Sequence, residues 1–301
     1  MRGQCEGRHR GGSLITNIDS TKQLVDLIRS ESERFKELVG ALPSNALENR
    51  SPCERWNVGD VIAHLIWFAE KYGGMMEHGL QGDQSPPEGF PVVPGTMKGP
   101  AIAKLYGDSA IELRRGLGER LIPEFCERYD WLNDMLKRIG PDDWDKSCYH
   151  TAKIRPVESF LPTIVGELAV HEWDIRSTQE PSPALSKNAV PVLMAKIPGN
   201  RRPWSIPFPD SPASPGPIRY RFDLTGAFPG KHDVIVENGN ARLEPAGDAV
   251  ADVSIRCQSE MLVLLMYGRL TLDSAAAADL VKVEGDGELV SSFDRWLKAD
   301  S

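Results

Sequence analysis

The chain has 301 residues, 41% of them hydrophobic and 26% charged, a composition that excludes disorder throughout and supplies enough apolar side chains for more than one packed core. Lys and Arg number 35 against 43 Asp and Glu, so the formal charge of −8 would repel a phosphate backbone and no nucleic-acid partner is expected. The longest apolar run, around Val61–Ala69, falls well short of the roughly 20 residues a bilayer crossing needs and contains His64, so no membrane partner is expected either.

The first twelve residues, MRGQCEGRHRGG, lack the apolar segment of a secretory signal, and residues 1–18 are expected to form a disordered tail on a cytoplasmic protein. Ser20-Thr21-Lys22-Gln23 has capping-box form and opens a long amphipathic helix through Leu24, Leu27, Ile28, Phe35, Leu38 and Val39. Ala41–Trp56 has no steady period and reads as a connection. Asn57, with Asp60 three residues on, starts a second helix that Gly73-Gly74 should weaken, and Gly79–Gly99, with its four prolines, is a long loop of the kind that often covers a site. Helix is expected again over 101–139 with a break near Gly116–Pro123, and over 156–178.

The texture changes after Pro181. Pro203–Pro217 is rich in proline, and beyond it IRYRFDLTG, HDVIVENG, ARLEP and ADVSIRC alternate as strands do. They are followed by helix (SEMLVLLMYG), helix (LDSAAAADL), strand (VKVEGD) and helix (ELVSSFDRWLKA). The reading is a helical bundle over 19–180, a Pro-rich linker over 181–217 and a small α+β domain over 218–301.

Two of the six histidines, His64 and His171, sit in apolar stretches of expected helices, where an imidazole needs a partner. Glu167 precedes His171 by four positions, one helical turn away on the same face. Three such groups from two helices around one divalent ion neutralise one another. Two His and one Glu suit zinc and leave a coordination position open for a water or a thiol. The candidate metal ligands are therefore His64, Glu167 and His171.

The segments Ser51-Pro52-Cys53, Trp56-Asn57-Val58-Gly59-Asp60-Val61-Ile62-Ala63-His64-Leu65 and Gly166-Glu167-Leu168-Ala169-Val170-His171-Glu172-Trp173-Asp174 resemble the mycothiol-dependent maleylpyruvate isomerase family, which belongs to the DinB-like metal-binding four-helix bundles. Ala251–Cys257, Leu264–Leu270 and Val283–Asp286 resemble that family's sterol-carrier-protein-like C-terminal domain. The resemblance implies that His64, Glu167 and His171 hold zinc or another divalent metal, and that mycothiol or a similar low-molecular-weight thiol binds the metal through sulfur. It also implies that a C-terminal-domain arginine, best matched by Arg269, acts in catalysis by holding an anionic electrophile. The expected activity is thiol addition to a small electrophilic substrate followed by isomerisation. A thiol S-transferase, a zinc-water hydrolase and a non-catalytic carrier of a small or lipid-like ligand are the alternatives.

Around this set, Asp60 or Asp174 could orient a ligand imidazole, Asp60 serving equally as a first-turn acid. Trp56 lines a pocket or staples a helix start. Met261–Met266 reads as core and Arg256 as a solvent-facing charge. The five cysteines, odd in number and without a CxxC pair, are expected to be free, with Cys53 and Cys148 idle. His78, His150 and His232 are expected at the surface.

Overall fold

Ser20 caps the first helix, α1 (Thr21–Gly40): its hydroxyl accepts from the Gln23 amide, and the Gln23 side chain accepts in return from the Ser20 amide. The computed structural model describes residues 20–53, 55–97, 99–197, 216–237 and 240–297. The expected tail and most of the Pro203–Pro217 stretch lie outside them.

Helix α2 (Val58–Leu80) starts where the Asp60 carboxylate accepts from the Asn57 amide, and it passes through Gly73-Gly74 without a break. The expected weakening there is corrected by packing: the Trp131 ring occupies the space a Cβ on Gly73 would need, so this glycine permits a close helix contact. Helices α3 (Gly99–Leu117) and α4 (Leu121–Arg138) are separated by a short 3₁₀ turn in which Gly118 takes φ 53°, matching the expected break. A two-residue ribbon, β1 (Ser147–Cys148) with β2 (Arg155–Pro156), went unread in the sequence because strands this short show no alternation. Helix α5 (Leu161–Arg176) follows it. Helices α1, α2, α4 and α5 close a four-helix bundle, with α3 packed on α2.

Every residue of α5 from Ile164 to Ile175 is buried, as is every residue of α2 from Val58 to Ala69. These are the segments that carry Glu167, His171 and His64. A helix buried all round needs apolar residues all round, which explains why neither segment is cleanly amphipathic.

The stretch expected to be linker contains a helix, α6 (Val190–Lys196), whose Pro191 lies in the first turn, where a missing amide costs nothing. Beyond it, β3 (Ile218–Thr225), β4 (Gly230–Glu237), β5 (Asn240–Pro245) and β6 (Val253–Gln258) are joined by α7 (Ser259–Met266), α8 (Leu272–Ala277), β7 (Val281–Gly285) and α9 (Gly287–Leu297). The sheet order is β5-β4-β3-β6-β7, antiparallel except for the parallel β3–β6 pair. Met261–Met266 is buried, as expected for core, and α7 packs on β3 and β6 and against α6, which itself packs on α5. Thus α6 bridges the sheet domain and the bundle. No described helix is long and apolar enough to cross a membrane.

Two stability predictions follow from close contacts. A Cβ on Gly79, in the last turn of α2, would collide with the Cβ of Cys148 and lie 2.9 Å from its Cα, so Gly79→Ala should cost about 1–3 kcal/mol, read as a lower urea midpoint. In the sheet domain Asp233 is buried between Arg219, whose Nη1 donates at 2.6 Å, and Arg221, whose Nε donates at 2.9 Å. Burial pushes its pKa up, but the two guanidiniums outweigh this and hold it below the usual carboxylate range. The stability so gained is present above the unfolded carboxyl value of about 3.9 and lost as pH falls through the lower folded value. Asp233→Asn should therefore cost about 1–3 kcal/mol at neutral pH, with the deficit shrinking in acid, measured by urea unfolding across that range.

Candidate metal centre

The structure brings the three proposed ligands together. Glu167 Oε2 lies 3.1 Å from His64 Nε2 and 3.3 Å from His171 Nε2, and all three side chains are buried. Two imidazole nitrogens and a carboxylate oxygen thus face one point from α2 and α5. Among the described residues two groups of this kind occur, this one and Cys53, His171 and Asp174. The second shares His171 but has its carboxylate committed elsewhere.

That carboxylate is Asp174, one helical turn beyond His171 and fully buried. Its Oδ2 lies 2.8 Å from His171 Nδ1, while Arg269, from the sheet domain, donates from Nε to Oδ1 at 2.7 Å and from Nη2 to Oδ2 at 2.9 Å. A two-pronged guanidinium is the geometry best suited to hold a carboxylate out of water. The Arg269 guanidinium is thus engaged by Asp174, and its Nη1 also donates to the Tyr267 carbonyl at 3.1 Å. With Asp174 accepting at Nδ1, the His171 ring turns Nε2 toward Glu167.

The electrostatics fit a cation site. Burial works against charge on Glu167, yet hydrogen bonds from His171 and His64 hold its pKa well below the usual range. Asp174 is also depressed against its burial, first by the Arg269 charge and then by His171. His64 is shifted down by burial, and His171 is raised against its burial by Asp174, Cys53 and Glu167. His64 Nδ1 is buried with no hydrogen-bond partner, so nothing protein-bound fixes that ring from behind.

Asp60, the other acid considered as an orienting group, accepts from the Asn57 amide and sits 3.4 Å from Arg114, leaving Asp174 alone in that position. Trp56 lines the site, its ring centroid 4.8 Å from that of His64 and 6.1 Å from that of His171. Tyr106 lies 6.5 Å from His64 and shares a 3.1 Å hydrogen bond with Tyr72. The Tyr106 ring is tilted against Trp67 at 4.7 Å, and Trp67 in turn stacks on Phe90 of the 81–97 loop at 5.8 Å, so the expected covering loop is tied to the site by a file of aromatic rings.

Cys53 is not idle. Its Sγ is 3.3 Å from Asp174 Oδ2 and accepts from Arg269 Nη2 at 3.4 Å. Local sequence held no sign of this, because its partners lie 121 and 216 positions away. Cys148 is buried, with its thiol pushed up to about 11. His232 is buried against Phe228, and His150 is half-buried, so for these two the surface expectation is corrected; His78 is exposed. Arg256 is exposed beside Asp223 at 3.7 Å. The other acid in the motif, Glu172, is buried against Arg34 and serves the bundle rather than the cluster.

A helical bundle with a buried His-Glu-His cluster, joined to a sheet domain whose Arg269 pairs with the acid behind that cluster, defines a two-domain class. The mycothiol maleylpyruvate isomerase N-terminal domain matches residues 28–176, and the SCP-2 sterol transfer family matches residues 218–298. By these two domains the chain belongs to the mycothiol-dependent maleylpyruvate isomerase family. The crystal structure of the mycothiol-dependent maleylpyruvate isomerase aligns with a TM-score of 0.58 at 14% identity over 88% of this chain and 93% of that one. A mutant of that isomerase with a histidine replaced by alanine aligns with a TM-score of 0.57 at the same identity and coverage. At that identity the likeness establishes the fold. No curated protein matches the sequence.

Removing Arg269 would strand a buried carboxylate. Arg269→Met is expected to destabilise the protein by about 3–5 kcal/mol, and Arg269→Met with Asp174→Asn to recover much of that loss, measured by chemical denaturation of the single and double variants.

Proposed function

We propose that this protein is a divalent-metal, thiol-utilising isomerase acting on a small electrophile, with His64, Glu167 and His171 as the metal ligands. The observation that carries the reading is the convergence of two imidazole nitrogens on one carboxylate oxygen inside a buried bundle, with a second acid, Asp174, fixing one of the rings. A metal ion such as zinc, when bound, supplies a Lewis acid that lowers the pKa of a thiol brought to the site.

The chain's own residues do the rest. Asp174 holds the His171 ring at Nδ1 and keeps its Nε2 directed at Glu167. Arg269 acts as a positioning residue by neutralising Asp174, so that the carboxylate can stay charged while buried. Trp56, Tyr106 and the aromatic residues beneath the 81–97 loop exclude water, which favours attack by sulfur over hydrolysis. Addition of the thiolate to one carbon of an electrophilic C=C, with a proton taken up by the other carbon, turns that double bond into a single bond; rotation about it and loss of the proton and the thiolate restore the C=C and return the thiol unchanged, so an isomerase needs only catalytic amounts of it.

The test is elemental analysis joined to a turnover assay. The purified protein should carry close to one zinc per chain, and His64→Ala should lose it. Loaded protein should convert an unsaturated electrophile only when a low-molecular-weight thiol is present. Stoichiometric consumption of thiol would instead identify an S-transferase, and turnover without thiol a hydrolase. A metal-free protein that retains an apolar ligand would overturn the catalytic reading.

A further inference from the structure

The metal-facing side chains leave a second group at the same place without a task. Gly166, next to Glu167, has no side chain, and the position its Cβ would take lies 3.6 Å from Lys196 Nζ, 3.7 Å from Tyr267 Oη and 3.3 Å from a Leu193 methyl. Lys196 closes α6 and extends its ammonium over this glycine, near enough for the Glu167 charge to act on it. Arg155, on β2, is near enough for its charge to act on Lys196, on His150 and on Tyr72. His150 Nδ1 accepts from the Ala152 amide at 3.1 Å, so the neutral ring carries its hydrogen on Nε2 as a further donor.

What sets Lys196 and Arg155 apart is the lack of an acid. Elsewhere the partly buried arginines are paired: Arg114 with Glu48 and Asp60, Arg219 and Arg221 with Asp233, Arg269 with Asp174. Among the described residues no carboxylate lies within ion-pair distance of Lys196 or Arg155, and Arg155 Nε is buried without a hydrogen-bond partner. In a chain with a formal charge of −8, two cations close enough to act on each other, one of them beside Gly166, and without an acid partner create a local positive field that draws in an anion. Glu167, the acid whose charge acts on Lys196, already has Oε2 against both histidines.

We propose that Lys196 and Arg155 form an anion subsite beside the candidate metal centre and hold a carboxylate of the electrophilic substrate. This rests on the reading that the centre binds an electrophile. The planar guanidinium fixes the plane of the carboxylate and the ammonium adds a point charge, so together they orient the substrate. The carboxylate is taken here, by the bundle's ribbon and the linking helix, while Arg269 remains with Asp174.

The test is calorimetric titration of succinate, which is saturated and cannot react, into the zinc-loaded full chain and its variants, with zinc content measured in parallel. Lys196→Met and Arg155→Met should each weaken succinate binding about tenfold or more while zinc content stays at the wild-type level. Lys196→Arg should retain most of the affinity, Arg155→Lys should retain less than that but more than Arg155→Met, and dimethyl succinate should not bind. Unchanged affinity in both methionine variants at full zinc content, or no succinate binding by the loaded wild type, would overturn the subsite. Wild-type protein that takes up no zinc yet binds succinate in a Lys196-dependent way would uphold the subsite and remove the metal reading alone.

Discussion

Asp174 carries a negative charge into a place that solvent does not reach, and a carboxylate is costly there unless its lone pairs are met. One oxygen faces His171 and the other faces Arg269, with Cys53 and a second guanidinium nitrogen completing the shell. The histidine belongs to the bundle and the arginine to the sheet domain. A single acid therefore fixes the ring of a candidate ligand and draws the second domain toward the first. The docked position of the sheet domain and the aim of His171 are one electrostatic problem with one solution.

Parts of this were legible in the sequence for definite physical reasons. Glu167 and His171 are one turn apart on a helix, so their shared face needs no tertiary knowledge, and His64 is conspicuous because a neutral apolar run rarely carries an imidazole. The strands of the second domain alternate because one face of each is buried, as in β3 and β6. Cys53, Lys196 and Arg155 were illegible because each acquires its meaning from partners distant in the chain. The proline of α6 looked like linker chemistry although it sits where a helix tolerates it. His232 looked exposed among polar neighbours, and only the packing of β4 buries it beside Phe228.

The centre is built from parts of unequal rigidity. Its candidate ligands stand on α2 and α5, in stretches where every residue is buried and side-chain positions are fixed by packing on every side. Lys196 and Arg155 stand on a seven-residue helix and a two-residue ribbon at the edge of the same site. The candidate ligands therefore rest on the scaffold that tolerates least change, and the flanking cations rest on connections.

The 81–97 loop is fastened to the segment after β1 at two points, by the Tyr149 hydroxyl donating to the Pro91 carbonyl at 2.7 Å and by the Gly95 amide donating to the Thr151 carbonyl at 2.7 Å. Between those anchors lies His150, and four residues past Thr151 comes Arg155. An insertion or deletion in this strap would pull on His150 and Arg155 while leaving the spacing of His64, Glu167 and His171 untouched. Descendants of one ancestral scaffold can in this way drift in diet while keeping the same chemistry, with selection acting on the length of a loop.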